Sequence, residues 1–169
     1  GPSEGPVAES VFIAGMFVKY AEEYAQLAEL MGDDAEAARA RKESEIMYEA
    51  ILKDGWDGEW FVRAYDAYSQ KIGSKECEEG QIFIEPQGFA IMSDIDKDAT
   101  KKTLAAIDER LNTKHGLVLN NPAFSKYYIQ YGEISTYPGG YKENAGIFTH
   151  NNAWIICAAA YAGEGNQAF

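Results

Sequence analysis

The stretch "GEISTYPGGYKENAGIFTHNN", residues 132–152, gathers polar side chains of different chemistry around a flexible turn, just before an apolar run. Its candidate binding residues are Glu133, Tyr137, Tyr141, Lys142, Glu143 and His150. Carboxylates accept hydrogen bonds from hydroxyls, a tyrosine offers a flat apolar face and a phenol, and lysine and histidine donate to anions. These groups could hold a sugar and, at His150, an anion. Because loops are ordinarily polar, composition alone supports a solvated loop equally well.

A second candidate is "GWDGEWF", residues 55–61, in which Asp57 and Glu59 lie between two tryptophans. Acids beside aromatic rings are typical of sugar-cleaving sites. Asp57-Gly58 is also a good turn sequence, and alternate residues of a strand point to opposite faces. The spacing therefore favours a structural role for this pair.

The elements that position these residues begin with a predicted αα-hairpin over residues 9–53, interrupted at Gly32, with Asp33 or Asp34 as the N-cap of its second helix. The first helix carries two apolar stripes at helical spacing. One consists of Val11, Ala14, Val18, Ala21, Ala25 and Ala28, and the other of Ile13, Phe17, Tyr20, Tyr24, Leu27 and Met31. Two stripes predict a helix that is buried over more than half of its girth.

The rest of the chain is predicted to be a small β insertion at 56–85 followed by helices and loops. The expected elements are strands near 60–65 and 81–85, a short helix from Pro86 through Met92, a helix from Asp96 or Asp98 to about Leu111, a turn-rich segment over 116–144, and a last helix over about 152–161. The pattern is mainly α, with long loops between the helices.

Composition excludes several classes of partner. The chain has 169 residues and a formal net charge of −12, which would repel nucleic acids and anionic membrane surfaces. The longest apolar run, residues 153–162, is too short to span a bilayer, and no signal peptide is visible. Two cysteines are too few for a disulfide framework or a CxxC metal site. We therefore expect a reduced, cytoplasmic setting without a metal or cofactor.

Several long motifs carry a family resemblance. The stretch "GEISTYPGGYKENAGIFTHNNAW" resembles the cellobiose-cleaving enzymes of glycoside hydrolase family 94, and so do "ESVFIAGMF", "GWDGEWFVRAYD" and "GSKECEEGQIFIEPQGFAIM". Together these motifs cover nearly the whole chain in order. The resemblance implies residues 1–169 as a single partial catalytic domain, part of an (α/α)6 barrel. It divides into the αα-hairpin at 9–53, the β insertion at 56–85, and helices with a substrate loop at 86–169.

The activity implied by the resemblance is inverting phosphorolysis of a β-linked glucose disaccharide. Inorganic phosphate, as co-substrate, attacks the anomeric carbon, and an aspartic acid protonates the leaving oxygen, giving α-glucose 1-phosphate and glucose. By the same resemblance, Glu133, Tyr137 and Lys142 line the acceptor sugar's subsite, Glu143 binds the donor glucose, and His150 binds phosphate. Asp57 and Glu59 become insertion residues.

This chain departs from the family pattern because the Asp-Trp-Asn-Asp motif that carries the general acid is absent and is expected upstream of residue 1. We therefore expect the chain alone to be inactive, and to self-associate through apolar faces, whereas the parent protein is expected to be a homodimer. Two alternatives stay open. One is a related family-94 phosphorylase that acts on cellodextrin or chitobiose, and the other is a non-catalytic, helical carbohydrate-binding module.

Overall fold

The computed structural model describes residues 8–168, which are mainly helical with small antiparallel sheets. The helices are α1 Val11–Leu30, α2 Asp34–Ala50, α3 Ile84–Met92, α4 Lys97–Arg110, α5 Thr149–Tyr161 and α6 Gly165–Ala168. The strands are β1 Glu9–Ser10, β2 Ala64–Tyr65, β3 Lys71–Ile72, β4 Ile82–Phe83, β5 Asn112–Thr113, β6 Gly116–Leu117 and β7 Asn120–Asn121. The mainly α prediction is confirmed, while the (α/α)6 barrel and the single partial domain over 1–169 stay predictions. Between residues 8 and 168, no helix combines the length and apolarity needed to cross a bilayer.

The αα-hairpin of α1 and α2 forms as its caps and small residues dictate. The Asp33 side chain accepts a hydrogen bond from the Glu36 N–H at 3.0 Å and begins α2, as predicted. Alanines of both helices form a cluster of their own, which lets the two backbones approach closely. Arg41 of α2 then bridges Glu22 and Glu29 of α1 on the surface. The hairpin is therefore closed by alanine packing inside and by ion pairs outside.

The two apolar stripes of α1 differ in burial. Val11, Val18, Ala21, Ala25 and Ala28 are buried, because α2 and α3 both pack on this side. The second stripe is largely exposed: Tyr20 is 50%, Leu27 56% and Met31 78% accessible. The prediction of burial over more than half of the helix is wrong for this chain, because no element in residues 8–168 covers the second stripe. Self-association through that stripe stays a prediction.

The β insertion is smaller than predicted. In place of a strand over 60–65, only β2 forms, between β1 and β3, and in place of 81–85 only β4 forms, paired with β7. The buried Gln87 explains the shortfall, because its side-chain amide accepts from Phe61 N at 2.9 Å and donates to the Phe61 and Phe83 carbonyls at 2.8 Å. One glutamine thus replaces a strand ladder for the aromatic segment around Phe61.

The N-terminal ends of α1, α3 and α5 lie at one end of the bundle. Arg63 donates to Ser10, the N-cap of α1, at 3.3 Å, and its Nε lies 3.7 Å from the Glu85 carboxylate in the first turn of α3. Phe12 of α1 stacks on Trp154 of α5, with ring centroids 5.6 Å apart. Three helix N-termini at one end create a region of positive potential.

The last long helix begins earlier than predicted. α5 starts at Thr149, so His150 lies in its first turn and not in the preceding loop. The Asn152 side chain explains the start, because it accepts from Leu117 N at 2.8 Å and donates to the Leu117 and Phe148 carbonyls. A side-chain amide thus ties the beginning of α5 to β6.

Candidate functional site

Five of the six candidate binding residues, all except His150, lie on a loop that is held by a buried amide. We call residues 132–146 the Asn144 loop. The Asn144 side chain is fully buried, accepts from Phe124 N at 2.7 Å, and donates to the Phe124 carbonyl at 2.9 Å and the Tyr137 carbonyl at 2.7 Å. Its hydrogen-bonding groups are therefore spent on the backbone, which fixes the path of the loop.

The C-terminal end of the Asn144 loop is anchored to the core in two further ways. The buried Asn120 of β7 accepts from Ala145 N at 2.8 Å, and the Gly146 carbonyl accepts from Leu119 N at 2.8 Å. Lys142 and Ala145 adopt left-handed backbone conformations, with φ of 48° and 62°. Non-glycine residues keep such conformations only where their surroundings impose them. The loop is therefore a formed structure and not a loose connection.

Four exposed or half-buried side chains meet on the Asn144 loop. The Tyr137 hydroxyl donates a hydrogen bond to the Glu133 carboxylate. The Lys142 ammonium lies 4.8 Å from the centre of the Tyr137 ring and 5.7 Å from that of Tyr141, and the two rings meet edge to face at 6.1 Å. The cluster therefore offers a carboxylate, a cation and two aromatic rings, which suits a polyhydroxylated ligand.

The pKa of the Tyr137 phenol lies well above its ordinary value. Its hydrogen bond to Glu133, together with loss of solvent and the negative charges of Glu133 and Glu143, raises the pKa of Tyr137 to about 12. Tyr137 therefore stays protonated at physiological pH and acts as a hydrogen-bond donor. Glu143 is exposed and contributes to this field, and its carboxylate has no hydrogen-bond partner among residues 8–168.

His150 lies in a different setting from the four clustered side chains. Its exposed ring packs against Phe148 at 5.7 Å and Trp154 at 5.2 Å. Within the described part of the chain, no hydrogen bond or ring contact links His150 with the Asn144 loop. Phe148 provides no side-chain cap to α5, so the first N–H groups of this helix are left for an external acceptor.

A groove of about 610 Å³ adjoins the Tyr137 side of the cluster. Its walls are the segments 123–127 and 135–139, and Tyr137 belongs to the second wall. Of the four clustered side chains, Tyr137 is therefore the one that lines this groove.

The acids in "GWDGEWF" do not form a comparable site. Asp57 is buried and accepts from Ser74 Oγ at 3.0 Å and Lys75 N at 2.9 Å, with Lys71 Nζ at 3.4 Å. Glu59 is exposed. The structural interpretation of this pair therefore agrees with the contacts. Across residues 8–168, no group of three or more His, Cys, Asp and Glu side chains could hold a metal ion.

Two kinds of residue escaped prediction from the sequence. Asn120 and Asn144 hold the loop but carry no pattern that separates them from ordinary turn asparagines. Arg63 and Glu85 meet although 22 positions separate them in sequence. Their pairing depends on tertiary packing, which the local sequence does not encode.

Comparisons with known proteins place this chain in a family. Residues 4–169 match the model of the "Glycosyl hydrolase 94 superfamily, catalytic domain". The chain is 30% identical over 171 residues to solabiose phosphorylase of Paenibacillus borealis, covering 100% of the chain and 22% of that protein. It is 29% identical over 163 residues to N,N'-diacetylchitobiose phosphorylase of Vibrio proteolyticus, covering 95% of the chain and 20% of that enzyme.

A further relative is cellobionic acid phosphorylase of Neurospora crassa, 30% identical over 134 residues, with 79% of the chain and 17% of the enzyme covered. The chain thus spans about a fifth of the length of these curated relatives. Their names specify different sugars, so the comparisons identify a family and not a substrate. The chain belongs to the glycosyl hydrolase 94 superfamily and forms part of its catalytic domain.

Proposed function

We propose that this chain forms one wall of the active site of a glycoside phosphorylase that cleaves cellobiose with inorganic phosphate to α-glucose 1-phosphate and glucose. The observation that carries the proposal is the meeting of Glu133, Tyr137 and Lys142 on a loop that Asn144 holds in place. A preformed site avoids the entropy cost of ordering these side chains around the ligand.

In this proposal the Asn144 loop binds the sugars. Glu133 accepts from acceptor hydroxyls, Lys142 donates to them, and the rings of Tyr137 and Tyr141 offer flat apolar faces to the sugar. Glu143, whose carboxylate is exposed, binds the donor glucose.

Phosphate binds at the other end of the proposed site, at His150. The exposed imidazole and the uncapped first turn of α5 both favour an anion. Phosphate attacks the anomeric carbon, so no second carboxylate is needed to activate water. The leaving oxygen takes its proton from a general acid, and the Asp-Trp-Asn-Asp motif expected to carry that acid does not occur among these 169 residues. The 169-residue chain alone is then inactive.

The substrate is tested in a family-length protein that contains this segment, by measuring α-glucose 1-phosphate released from cellobiose, cellotriose and N,N'-diacetylchitobiose. We expect the highest kcat/KM with cellobiose. A preference for either other sugar would replace cellobiose as the substrate, in keeping with the chitobiose-cleaving relative. Turnover of none of them, with calorimetric binding of cellobiose retained, would instead support a carbohydrate-binding module.

The residue roles are tested in the same protein by measuring the kinetics of both phosphorolysis and the reverse reaction, synthesis. His150→Asn is expected to raise the KM for phosphate in cleavage and to leave the KM for glucose in synthesis unchanged, and Lys142→Ala is expected to do the reverse. Lys114→Ala, at an exposed lysine, is the matched control. Equal effects of the two variants on both substrates would contradict the assigned roles.

A further inference from the structure

Two neighbouring asparagines at the start of α5 differ in their hydrogen bonding. The half-buried Asn152 accepts from Leu117 N and donates to the Leu117 and Phe148 carbonyls. Asn151 is more deeply buried, with 3% of the residue exposed, and its Oδ1 atom has no hydrogen-bond partner. Its side chain forms no hydrogen bond with any residue from 8 to 168. Asn152 therefore holds the fold together, whereas Asn151 has no hydrogen-bonding role within it.

The other buried amide side chains show that an unpaired amide is exceptional in this chain. Gln87, Asn120 and Asn144 are all buried, and each forms hydrogen bonds with the backbone. Buried polar atoms without partners cost stability and are rare in folded proteins. An apolar side chain at position 151 would avoid this cost. An asparagine there therefore points to a partner outside the described chain.

The position of Asn151 in α5 indicates where that partner lies. Asn151 is the third residue of this 13-residue helix, after Thr149 and His150. Side chains of an α-helix lean towards its N-terminus, so the Asn151 amide leans towards the first N–H groups of α5. Phe148 supplies no side-chain cap to these groups, and a helix N-terminus carries a partial positive charge. The amide and the free N–H groups together suit an anion.

The chemistry of the amide narrows the choice of anion. An amide offers a donor and an acceptor side by side. Hydrogen phosphate matches both, because one of its oxygens accepts from Nδ2 while its P–OH group donates to Oδ1. Sulfate carries no proton at neutral pH, so it can accept from Nδ2 but leaves Oδ1 unpaired. An amide at this position therefore favours phosphate over sulfate.

We propose that Asn151 is a phosphate-binding residue that acts together with the N–H groups of the first turn of α5 and selects phosphate over sulfate through the P–OH group. The choice of phosphate rests on the proposed function, which places this anion at the neighbouring His150. Asn151 adds a second side chain to the site and a means to discriminate between two tetrahedral anions.

The first test is the stability of the 169-residue chain in urea. Asn151→Leu replaces an unpaired amide with an apolar side chain of similar size, so the midpoint of unfolding is expected to stay constant or to rise. Asn152→Leu, the matched control, removes three hydrogen bonds and is expected to lower the midpoint. A fall in Asn151→Leu as large as that in the control would overturn the proposal, because Asn151 would then be a structural residue.

The second test measures phosphorolysis by the family-length protein, with phosphate as substrate and sulfate as inhibitor. In Asn151→Leu we expect the KM for phosphate to rise about tenfold. The inhibition constant of sulfate is expected to rise less, because sulfate loses one hydrogen bond and phosphate loses two. An unchanged KM for phosphate, or equal losses for the two anions, would overturn the proposal. If Asn151→Leu does not fold, Asn151→Ala, with its smaller side chain, is measured in the same way.

The outcomes separate this inference from the proposed function. A family-length protein that forms sugar phosphate from no substrate contradicts the proposed function. A raised KM for phosphate in His150→Asn beside an unchanged one in Asn151→Leu contradicts the role of Asn151 alone. A lower melting temperature of Asn151→Leu in the family-length protein, without a lower one in the 169-residue chain, would also overturn the inference, because Asn151 would then pair with another part of the catalytic domain.

Discussion

Two buried polar side chains, Asp57 and Asn144, each tie a loop to the core, but only one of the two loops carries a candidate site. The Asp57 carboxylate accepts hydrogen bonds from Ser74 Oγ, Lys75 N and Lys71 Nζ. The Asn144 side-chain amide forms hydrogen bonds with backbone groups alone. Because Asn144 bonds only to the backbone, the charged side chains of its loop stay free for a ligand. Asp57, in contrast, occupies the side chains of Ser74 and Lys71.

The same contrast explains why acids beside aromatic rings do not by themselves identify a sugar-cleaving site, and why the structural interpretation of Asp57 and Glu59 was the better one. Asp57 lies beside tryptophans, as in a sugar-cleaving site, yet its oxygens are already satisfied by the protein. Glu133 is exposed, and its carboxylate accepts a hydrogen bond from another candidate residue, Tyr137. Whether a carboxylate is free or satisfied depends on tertiary contacts.

The largest expected effect comes from Asn144→Asp, an exchange of nearly equal shape. It places a carboxylate oxygen against the Phe124 and Tyr137 carbonyls in a buried site, so we expect a loss of about 3 kcal/mol in the free energy of unfolding. Urea unfolding measures it, with the exposed Asn166→Asp as control. A loss in the free energy of unfolding no larger than that of Asn166→Asp would contradict the anchor role of Asn144.

The reverse exchange, Asp57→Asn, is expected to cost less, about 1 kcal/mol, because Ser74 and Lys75 donate to the same Asp57 oxygen and the amide oxygen can still accept from both. We expect the NMR signals of Tyr137 and Lys142 to stay unchanged in this variant, whereas Asn144→Asp displaces them. Displacement of those signals by both exchanges would remove the distinction between the two anchors.

The next prediction concerns the pKa of Tyr137. Glu133→Gln removes the main cause of its elevation, so the pKa of Tyr137 is expected to fall from about 12 towards its ordinary value of 10. A raised pKa in the folded state contributes stability that is present below pH 10 and lost as the pH rises through 12. Glu133→Gln is therefore expected to lose less stability over this range than the wild type.

The measurement is a titration of the tyrosine ring carbons by NMR, with the Tyr137 signal assigned from Tyr137→Phe. An unchanged value in Glu133→Gln would show that the hydrogen bond does not set the protonation of the phenol.

The smallest effect on stability is expected for His150→Asn. The His150 ring is exposed and touches only the rings of Phe148 and Trp154 among its aromatic neighbours in residues 8–168, so the free energy of unfolding is expected to change by less than about 0.5 kcal/mol. A loss as large as that of Asp57→Asn in urea unfolding would indicate that His150 is retained for packing and not for a ligand.

The sequence predicted the features that depend on local chemistry. Asp33 and Asp96 cap helices as expected, and Pro86 lies in the first turn of α3. The burial of the second apolar stripe of α1 was predicted wrongly, because periodicity identifies an apolar face and not what covers it. The strand expected over 60–65 was lost to the Gln87 side chain, a contact between residues 26 positions apart.

For the candidate site, the sequence supplied candidate residues but not their arrangement. Residue type and family resemblance singled out Glu133, Tyr137 and Lys142. Their meeting depends on Asn120 and Asn144, whose hydrogen bonds join segments 20 to 25 positions apart in sequence. Such long-range amide contacts leave no periodic or spacing signal.

The central claim is that the Asn144 loop is formed before any ligand binds, and amide hydrogen exchange of the free chain tests it most directly. The N–H groups of Phe124 and Ala145, which donate to Asn144 and Asn120, are expected to exchange as slowly as that of Ile84, which donates to the Leu119 carbonyl. Rapid exchange at Phe124 and Ala145 beside a protected Ile84 would contradict the claim, because the loop would then be open in the absence of its sugar.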